Sequence, residues 1–185
     1  MANARFSVAP AYYTGSEVTP EVTVTHSGKT LVKDRDFTVT YHNNIEPSSY
    51  YNSPWVGIDG IGNYQGYVTK SFTINRADIS SCTVTLSDES LTYTGSSLRP
   101  TATVKSGDKE LTLNQDYYVS YRNNWDAGTA SAILTGTGNY TGSVTKDFTI
   151  KPLDISRYSA SLSQYSYTSD GTEKCPDVTV TYGDK

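Results

Sequence analysis

The residues best suited to bind a ligand lie in one aromatic segment, IEPSSYYNSPW, at Ile45–Trp55. Tyr50, Tyr51 and Trp55 stand there among proline, serine and asparagine, a composition typical of a loop. Aromatic side chains on a loop can stack on sugar rings or fill a pocket of a protein partner. The segment therefore predicts a site for a glycan or a protein at these three residues. The alternative is a long hairpin whose aromatic rings fold back onto their own domain.

Residues that carry catalytic or metal-binding chemistry are few and scattered. The two histidines, His26 and His42, are predicted in surface loops. The sequence contains no CxxC, HExxH or GxSxG motif and no phosphate-binding glycine loop, and its aspartates do not follow the spacing of a calcium loop. We therefore expect no enzyme activity, no bound metal and no cofactor.

These residues belong to a chain that repeats itself. DFTVTYHNN at Asp36–Asn44 recurs as DYYVSYRNN from Asp116, and GIGNYQGYVTKSFTI from Gly60 recurs as GTGNYTGSVTKDFTI from Gly136. The first step is 80 residues and the second is 76. Self-similarity at a nearly fixed period indicates an array of structural repeats. The aromatic segment explains the difference, because it is four residues longer than its counterpart WDAGTAS.

Alternating apolar and polar residues predict the structure of each repeat. Val22 and Val24 are predicted to face one way and Thr23 and Thr25 the other. The same alternation predicts one inward face for Ala130, Ala132 and Leu134. A period of two indicates half-buried strands, and no segment has the period of a helix. Six or seven short strands separated by Gly, Asn, Ser and Pro turns favour an antiparallel sandwich. We therefore predict an all-β fold of tandem antiparallel sandwiches arranged head to tail.

The repeats divide the chain into three parts. Residues 1–76 are predicted to form a first repeat with a truncated first strand, residues 77–152 a second, and residues 153–185 the opening strands of an incomplete third. Such a piece leaves two strand edges without partners. We expect a fragment of a longer array; otherwise the third part pairs with a neighbouring copy or exchanges strands with a second molecule. Cys82 and Cys175 are not at equivalent positions and are expected to be unpaired.

The net charge and the hydropathy of the chain restrict the kinds of molecule that it could bind. The net charge is −4 with a pI near 5.1, and lysine and arginine form no cluster. This argues against binding to nucleic acid or to anionic membrane surfaces. No apolar run is long enough for insertion into a membrane, and the first residues do not resemble a signal peptide.

The shared phrases resemble a known group of repeats. The pattern YTG, then DYxVxYxNN, then GNYxG and VxKxFTI is similar to the tandem bacterial Ig-like repeats of the MBG/YDG type, and it covers essentially the whole chain. Such repeats occur in large secreted or wall-anchored proteins, mainly of Gram-positive bacteria. The resemblance implies an extracellular, cell-surface location, a role as a stalk or adhesin, and a glycan or host extracellular protein as partner. It brings no catalytic residues.

Some bacterial surface domains form a covalent bond between a lysine and an asparagine or aspartate on neighbouring strands. Lys70 and Lys146 occupy equivalent positions in line with the apolar face, and they are the candidates for such a cross-link. The alternative is a lysine whose aliphatic stem covers the sheet edge while its amine reaches water. The alternative is favoured, because no asparagine and neighbouring acid of the first strand recur in both repeats. Tyr64 and Tyr140, shared by both repeats, are predicted to pack against the last turn.

Overall fold

The computed structural model describes residues 4–181 of the chain. The outermost predicted parts of the first and third repeats, residues 1–3 and 182–185, lie outside this range. All regular elements within it are strands, apart from two single-turn 3-10 helices at Ile79–Ser81 and Ile155–Arg157. The predicted all-β class is confirmed.

Residues 4–75 form eight strands in three groups. β1, β3 and β4 make one antiparallel sheet, β5, β6 and β7 make a second, and β2 pairs in parallel with β8. The strands are β1 (Ala4–Val8), β2 (Ala11–Tyr12), β3 (Val22–His26), β4 (Lys29–Thr30), β5 (Phe37–His42), β6 (Trp55–Gly60), β7 (Tyr67–Ser71) and β8 (Ile74–Asn75).

Residues 77–151 repeat this pattern with nine strands. β10, β12 and β13 form one sheet, while β11, β17, β15 and β14 form the other in that order, with β11 parallel to β17. β9 and β16 make a short parallel pair. The strands are β9 (Ala77–Asp78), β10 (Thr83–Leu86), β11 (Ser90–Thr92), β12 (Ala102–Ser106), β13 (Lys109–Glu110), β14 (Tyr117–Arg122), β15 (Gly128–Gly136), β16 (Tyr140–Thr141) and β17 (Ser143–Lys151).

The alternating side chains decide what each sheet buries. In β15, Ala130, Ala132 and Leu134 are completely buried, as their spacing predicts. In residues 4–75 one buried cluster joins Val24 of β3 to Val56 and Ile58 of β6. The two sheets thus bury their apolar faces in a common core, which is what positions the loops at their ends.

The third part of the chain begins like the second. The 3-10 helix Ile155–Arg157 has the same cap as Ile79–Ser81, because Asp154 and Asp78 each accept a hydrogen bond from the backbone N–H two residues on. Two antiparallel strands follow, β18 (Ser159–Leu162) and β19 (Val178–Thr181).

The structure corrects the predicted position of both histidines. His26 and His42 end strands β3 and β5 instead of lying in loops, because the antiparallel ladders continue as far as Ala4 and Trp55 respectively.

Cys82 and Cys175 are both free. Within residues 4–181 no helix is long and apolar enough to cross a membrane.

Candidate functional site

Tyr50 and Tyr51 lie at the tip of the long segment that joins β5 to β6. The two residues are 93% and 94% exposed, and their rings meet edge to face with centroids 5.0 Å apart. Neither ring packs on the core of its own repeat. The two tyrosines therefore present a pair of apolar faces with polar hydroxyl tips to solvent, a combination enriched in binding surfaces.

Trp55 lies apart from the tyrosine pair, at the start of β6. It stands opposite His42 of β5, and the two rings stack with centroids 3.9 Å apart and planes 11° from parallel. Trp55 is half-buried. Sequence reasoning missed the role of His42, and only the strand register, which pairs position 42 with position 55, reveals it.

The segment that carries the tyrosines is held from within by Asn52. Its side-chain amide donates to the carbonyl of Glu46 at 2.7 Å, and more weakly to those of Pro47 and Asn43 at 3.3 and 3.4 Å. The backbones of Asn52 and Ser49 also exchange hydrogen bonds of 3.3 and 2.9 Å. Three carbonyls that a long loop would otherwise leave to water thus converge on one amide, so the tip has a defined backbone.

The same segment is attached to the sheet and to the second repeat. The N–H of Ser48 donates to the carbonyl of Ile74 at 2.8 Å, and the Ser48 hydroxyl accepts from the Ile74 N–H at 3.0 Å. Ser48 thereby takes the pairing that Gly128 of β15 provides for the equivalent Ile150. This explains why β7 and β8 are separate where β17 is continuous. Beyond the sheet, Glu46 Oε2 accepts from Asn139 Nδ2 at 2.7 Å.

Of the two candidate cross-link lysines, Lys70 is exposed and Lys146 is half-exposed. Lys70 is exposed and stands opposite Val56, and across residues 4–181 it makes no ion pair. Lys146 stands opposite Ala132, and its ammonium lies 3.5 Å from a carboxylate oxygen of Glu89. The alternative, a lysine whose stem covers the sheet edge and whose amine reaches water, therefore stays a prediction.

The tyrosines shared by both repeats connect distant turns. The hydroxyl of Tyr41 donates to the carbonyl of Pro20 at 2.6 Å, and that of Tyr121 donates to Pro100 at the same distance. The second tyrosine of the DYxVxY phrase is therefore explained by a bond to the proline that follows YTGS. Burial raises the pKa of both hydroxyls, so both stay protonated donors.

The shared asparagines and aspartates close turns. Asn44 exchanges hydrogen bonds with the backbone of Val18, and Asn124 does the same with Leu98. The carboxylate of Asp36 accepts from the N–H of Val32 at 2.8 Å, as Asp116 does from Thr112.

The carboxylate of Asp36 also accepts two hydrogen bonds from Arg35, at 3.0 and 2.8 Å. These bonds, followed by the bond from Val32, hold the pKa of the Asp36 carboxyl below its usual range.

The glycines of the GxGNYxG phrase form a tight turn between strands. Gly136 N–H donates to the carbonyl of Gly142 at 3.0 Å, and Tyr140 N–H donates to Thr137 at 3.0 Å. Gly138 has φ +61°, and a Cβ there would lie 2.9 Å from the carbonyl oxygen of Gln115. The same bonds recur in the turn from Gly60 to Gly66, where Gly62 also has a positive φ. The phrase is thus explained by backbone geometry.

Tyr140 and Tyr64 occupy equivalent places in this turn with different neighbours. Tyr140 is buried and meets Tyr13 edge to face at 5.7 Å. Tyr64 is half-buried and meets His26 at 6.1 Å. Both tyrosines pack beside the turn, and Tyr140 also contacts the preceding repeat.

Other candidate chemistry is sparse among residues 4–181, which hold no group of three or more His, Cys, Asp or Glu side chains that could bind a metal ion. Cys82 is half-buried, and burial raises the pKa of its thiol. Trp125 is an exposed aromatic residue of the shorter loop for which the sequence predicted no role. Comparison with protein-family models, curated proteins and solved structures finds no match to this chain.

Proposed function

We propose that this chain is a non-catalytic stalk or spacer region of a bacterial cell-surface protein, built from tandem Ig-like β-sandwich repeats. In this proposal each repeat is a pair of packed sheets, and the repeats follow one another head to tail with boundaries near residues 76 and 152. The function is mechanical: a semi-rigid rod holds other parts of the protein away from the cell.

The joint between the first two repeats is the observation that supports a rod. Tyr13, Phe72 and Ile74 of the first repeat lie in one buried cluster with Ile79, Val104 and Tyr140 of the second. A shared core resists bending because any hinge motion would expose buried apolar surface. Flexibly linked domains, in contrast, keep separate cores.

Polar contacts reinforce the same joint. Lys109 Nζ donates to the Tyr13 hydroxyl at 3.4 Å and also lies over the tyrosine ring, 5.6 Å from its centroid. Glu46 accepts from Asn139 at 2.7 Å. Arg76 alone separates β8 from β9, so there is no length of chain that could act as a flexible linker.

The structural use of the shared polar residues supports a non-catalytic role. The hydroxyls of Tyr41 and Tyr121, the amides of Asn44 and Asn124, and the carboxylate of Asp36 all bind backbone groups within their own repeats. What the two repeats have in common is therefore explained by folding. The bacterial surface, the extracellular location and the Ig-like family rest on the sequence resemblance alone.

Small-angle scattering tests the rod. A compact domain of this length has a radius of gyration of about 16 Å, and we expect a clearly larger value with a pair-distance distribution extended to long distances. A matched variant with a flexible Gly-Ser segment inserted after Arg76 should broaden that distribution. A radius of gyration near the compact value for the unmodified chain would overturn the proposal.

A second candidate function is binding of a glycan or a host extracellular protein by the aromatic segment. The observation in its favour is the combination of two exposed rings, Tyr50 and Tyr51, with a backbone held by Asn52. A binding loop that is already ordered loses less conformational entropy when a ligand arrives. Trp55, at the start of β6 and stacked on His42, is the third aromatic residue of this candidate site.

A glycan and extracellular-matrix array tests this second candidate. The intact chain is compared with the Tyr50→Ala/Tyr51→Ala variant and with the same variant carrying Trp55→Ala. Tyr118→Ala, at an exposed tyrosine of β14, is the control for loss of any surface ring. Binding that disappears in the double variant and survives in the control supports the site. Binding unaffected by all three substitutions rejects it.

A further inference from the structure

A cleft opens along one side of the first repeat, between β3 and β4 of one sheet and β5 of the other. Its volume is about 570 Å³, and its lining includes the buried residues Leu31 and Phe37. Thr19, Thr23 and Thr30 add hydroxyl-bearing side chains to the same lining. An apolar cleft with a few polar groups is typical of a ligand site.

The carbonyl of Val22, on the β3 side of the cleft, lacks a hydrogen bond that its equivalent has. In the second repeat the equivalent residue, Ala102, accepts a bond of 2.9 Å from the hydroxyl of Tyr117. The first repeat has Phe37 in place of Tyr117, and a phenylalanine ring carries no hydroxyl. The carbonyl of Glu21 accepts on the β1 side, so the next carbonyl, that of Val22, points away from β1. No donor of residues 4–181 reaches it there.

The backbone of β5 also faces the cleft without a partner. β5 ends its sheet and has β6 as its one neighbour. The carbonyl of Phe37 accepts from the N–H of Asp34 at 2.7 Å, on the side away from β6. Because backbone groups alternate along a strand, the N–H and C=O groups of Val39 and Tyr41 point the same way. Among the described residues no group bonds to them on that side.

Two exposed side chains of opposite charge stand near the two ends of this free edge. Lys33 forms an isolated β-bridge with Phe37 at one end. Glu21 follows Pro20, whose carbonyl accepts the bond from the Tyr41 hydroxyl at the other end. Both charged residues line the cleft, so a ligand would meet an ammonium at one end and a carboxylate at the other.

This pair of charges is specific to the first repeat. Glu21 and Lys33 make no ion pair within the described part of the chain, and their equivalents Thr101 and Leu113 are uncharged. The strand edges themselves are alike, since β14 ends its sheet as β5 does. The two repeats therefore differ in the cleft, at Phe37 and at the two charges, and not in the edge beside it.

We propose that this cleft binds an extended peptide, which adds to β5 as an antiparallel strand and directs a tyrosine side chain at the Val22 carbonyl. In an antiparallel pair, the residue opposite Val39 exchanges hydrogen bonds with Val39 and points its side chain to the same face. Val39 lines the cleft, so that side chain enters it. Strand pairing supplies affinity and the cleft supplies specificity, as in other edge additions. This proposal does not depend on a stalk function.

The positions of the two charges give the peptide a direction. A strand antiparallel to β5 begins near Tyr41 and ends near Phe37. A basic residue at its start therefore lies by Glu21, and an acidic residue at its end lies by Lys33. Tyrosine suits the centre, because the phenol of Tyr117 makes the equivalent bond in the second repeat.

The test is titration calorimetry with the blocked pentapeptide acetyl-Lys-Thr-Tyr-Thr-Glu-amide as the probe. We expect binding that slows amide exchange of Val39 and Tyr41, because both N–H groups then donate within a ladder. One control peptide has phenylalanine at the centre, and another has the two charged residues interchanged. Each should bind at least about fivefold more weakly than the probe. Absence of binding, unchanged exchange at both amides, or equal affinity for all three peptides would overturn the proposal.

Phe37→Tyr closes the site without weakening the fold. Its hydroxyl should bond to the Val22 carbonyl, as Tyr117 bonds to Ala102. The melting temperature should therefore rise, and the probe should bind at least about tenfold more weakly. Tyr117→Phe is the matched control, which should lower the melting temperature and leave binding of the probe unchanged. Full binding to the Phe37→Tyr variant would contradict the proposal.

Two further measurements test the direction of the peptide and the identity of the occupant. Glu21→Thr combined with Lys33→Leu copies the second repeat at two exposed positions, where substitutions rarely affect the fold. This variant should bind the probe and the charge-interchanged peptide equally, and a remaining preference would contradict the assigned direction. Sedimentation equilibrium of the unmodified chain should give a monomer. A dimer that Phe37→Tyr dissociates would assign the edge to a second copy and reject the proposal.

Discussion

Asn52 and Tyr50 lie two residues apart and have opposite roles. The amide of Asn52 turns inward and donates to backbone carbonyls, whereas the ring of Tyr50 points to solvent. A single polar side chain therefore shapes the segment, and its aromatic neighbours are left free to contact a partner. At this scale, structural and functional residues of the loop can be separated by substitution.

We predict that Asn52→Ala lowers the free energy of unfolding by about 1 kcal/mol, because the carbonyls of Glu46 and Pro47 exchange a protein donor for water. Tyr50→Ala should change it by no more than about 0.5 kcal/mol, as is usual for an exposed side chain. Urea denaturation of the three proteins measures both values. A loss at Tyr50 as large as that at Asn52 would show that the tyrosine supports the fold.

Asp36 makes the stability of the first repeat depend on pH. Its pKa is lowered in the folded state by the Arg35 guanidinium and the Val32 N–H. A carboxyl with a lowered folded pKa stabilises the fold fully above its unfolded pKa of about 3.9, and this contribution disappears as the pH falls through the folded value.

We predict that Asp36→Asn lowers the melting temperature at pH 7 and that the difference from the unmodified chain shrinks steadily below about pH 3.9. Arg35→Gln should reproduce part of the effect, since it removes the charged partner and leaves the Val32 bond. Thermal denaturation followed by circular dichroism from pH 7 to pH 2 measures both. A difference that grows toward acid pH would reverse the sign and refute the assignment.

At the scale of elements, the turn from β15 to β16 depends on glycine for two reasons. Gly138 has a positive φ, and its position also faces the carbonyl of Gln115. Gly107 has nearly the same φ, +58°, but a Cβ at that position would meet no atom within 4 Å beyond its two chain neighbours. Substitution of each glycine therefore distinguishes the free-energy cost of the backbone conformation from that of a steric clash.

We predict that Gly107→Ala destabilises the chain by about 1 kcal/mol, the cost of a left-handed conformation for a residue with a side chain. Gly138→Ala should cost more, about 2–3 kcal/mol, because the turn must also shift away from Gln115. Chemical denaturation of both variants measures the difference. Equal costs would mean that the turn relaxes without strain.

Alternation allowed most strands to be predicted from the sequence, because side chains of period two fix which face is buried. The inward face of Ala130, Ala132 and Leu134 is an example. The break between β7 and β8 was not predictable, since it arises from the pairing of Ser48 with Ile74 across the insertion. The His42–Trp55 stack depends on register, and the contact of Tyr13 with Tyr140 depends on how two repeats meet. Local patterns carry no information about either.

For the molecule as a whole, the shared cluster at the first joint couples the repeats energetically. Ile79 is completely buried in it, whereas the equivalent Ile155 is exposed. The two isoleucines have the same local sequence position in their repeats, so they report what a complete joint contributes to stability.

We predict that Ile79→Ala lowers the free energy of unfolding by about 2–5 kcal/mol, the range for deletion of a buried isoleucine side chain. Ile155→Ala should change it by less than about 0.5 kcal/mol.

Trp55 and Trp125 report on the first and second repeats separately when each is the only tryptophan. Their unfolding midpoints should coincide in the unmodified chain, and separate midpoints would show that the repeats unfold independently.

The buried cluster that contains Tyr13, Phe72, Ile74 and Tyr140 also orders events during synthesis. The chain leaves the ribosome from its N-terminus, so the residues that end the first repeat are made long before Tyr140. Ile79, made shortly after them, remains uncovered during that interval, as its equivalent Ile155 is, and exposed apolar surface at this stage invites association with other chains. The later strands of a repeat thus protect its opening strands. Translation that stalls between Ile79 and Tyr140 leaves this apolar surface of the nascent chain exposed.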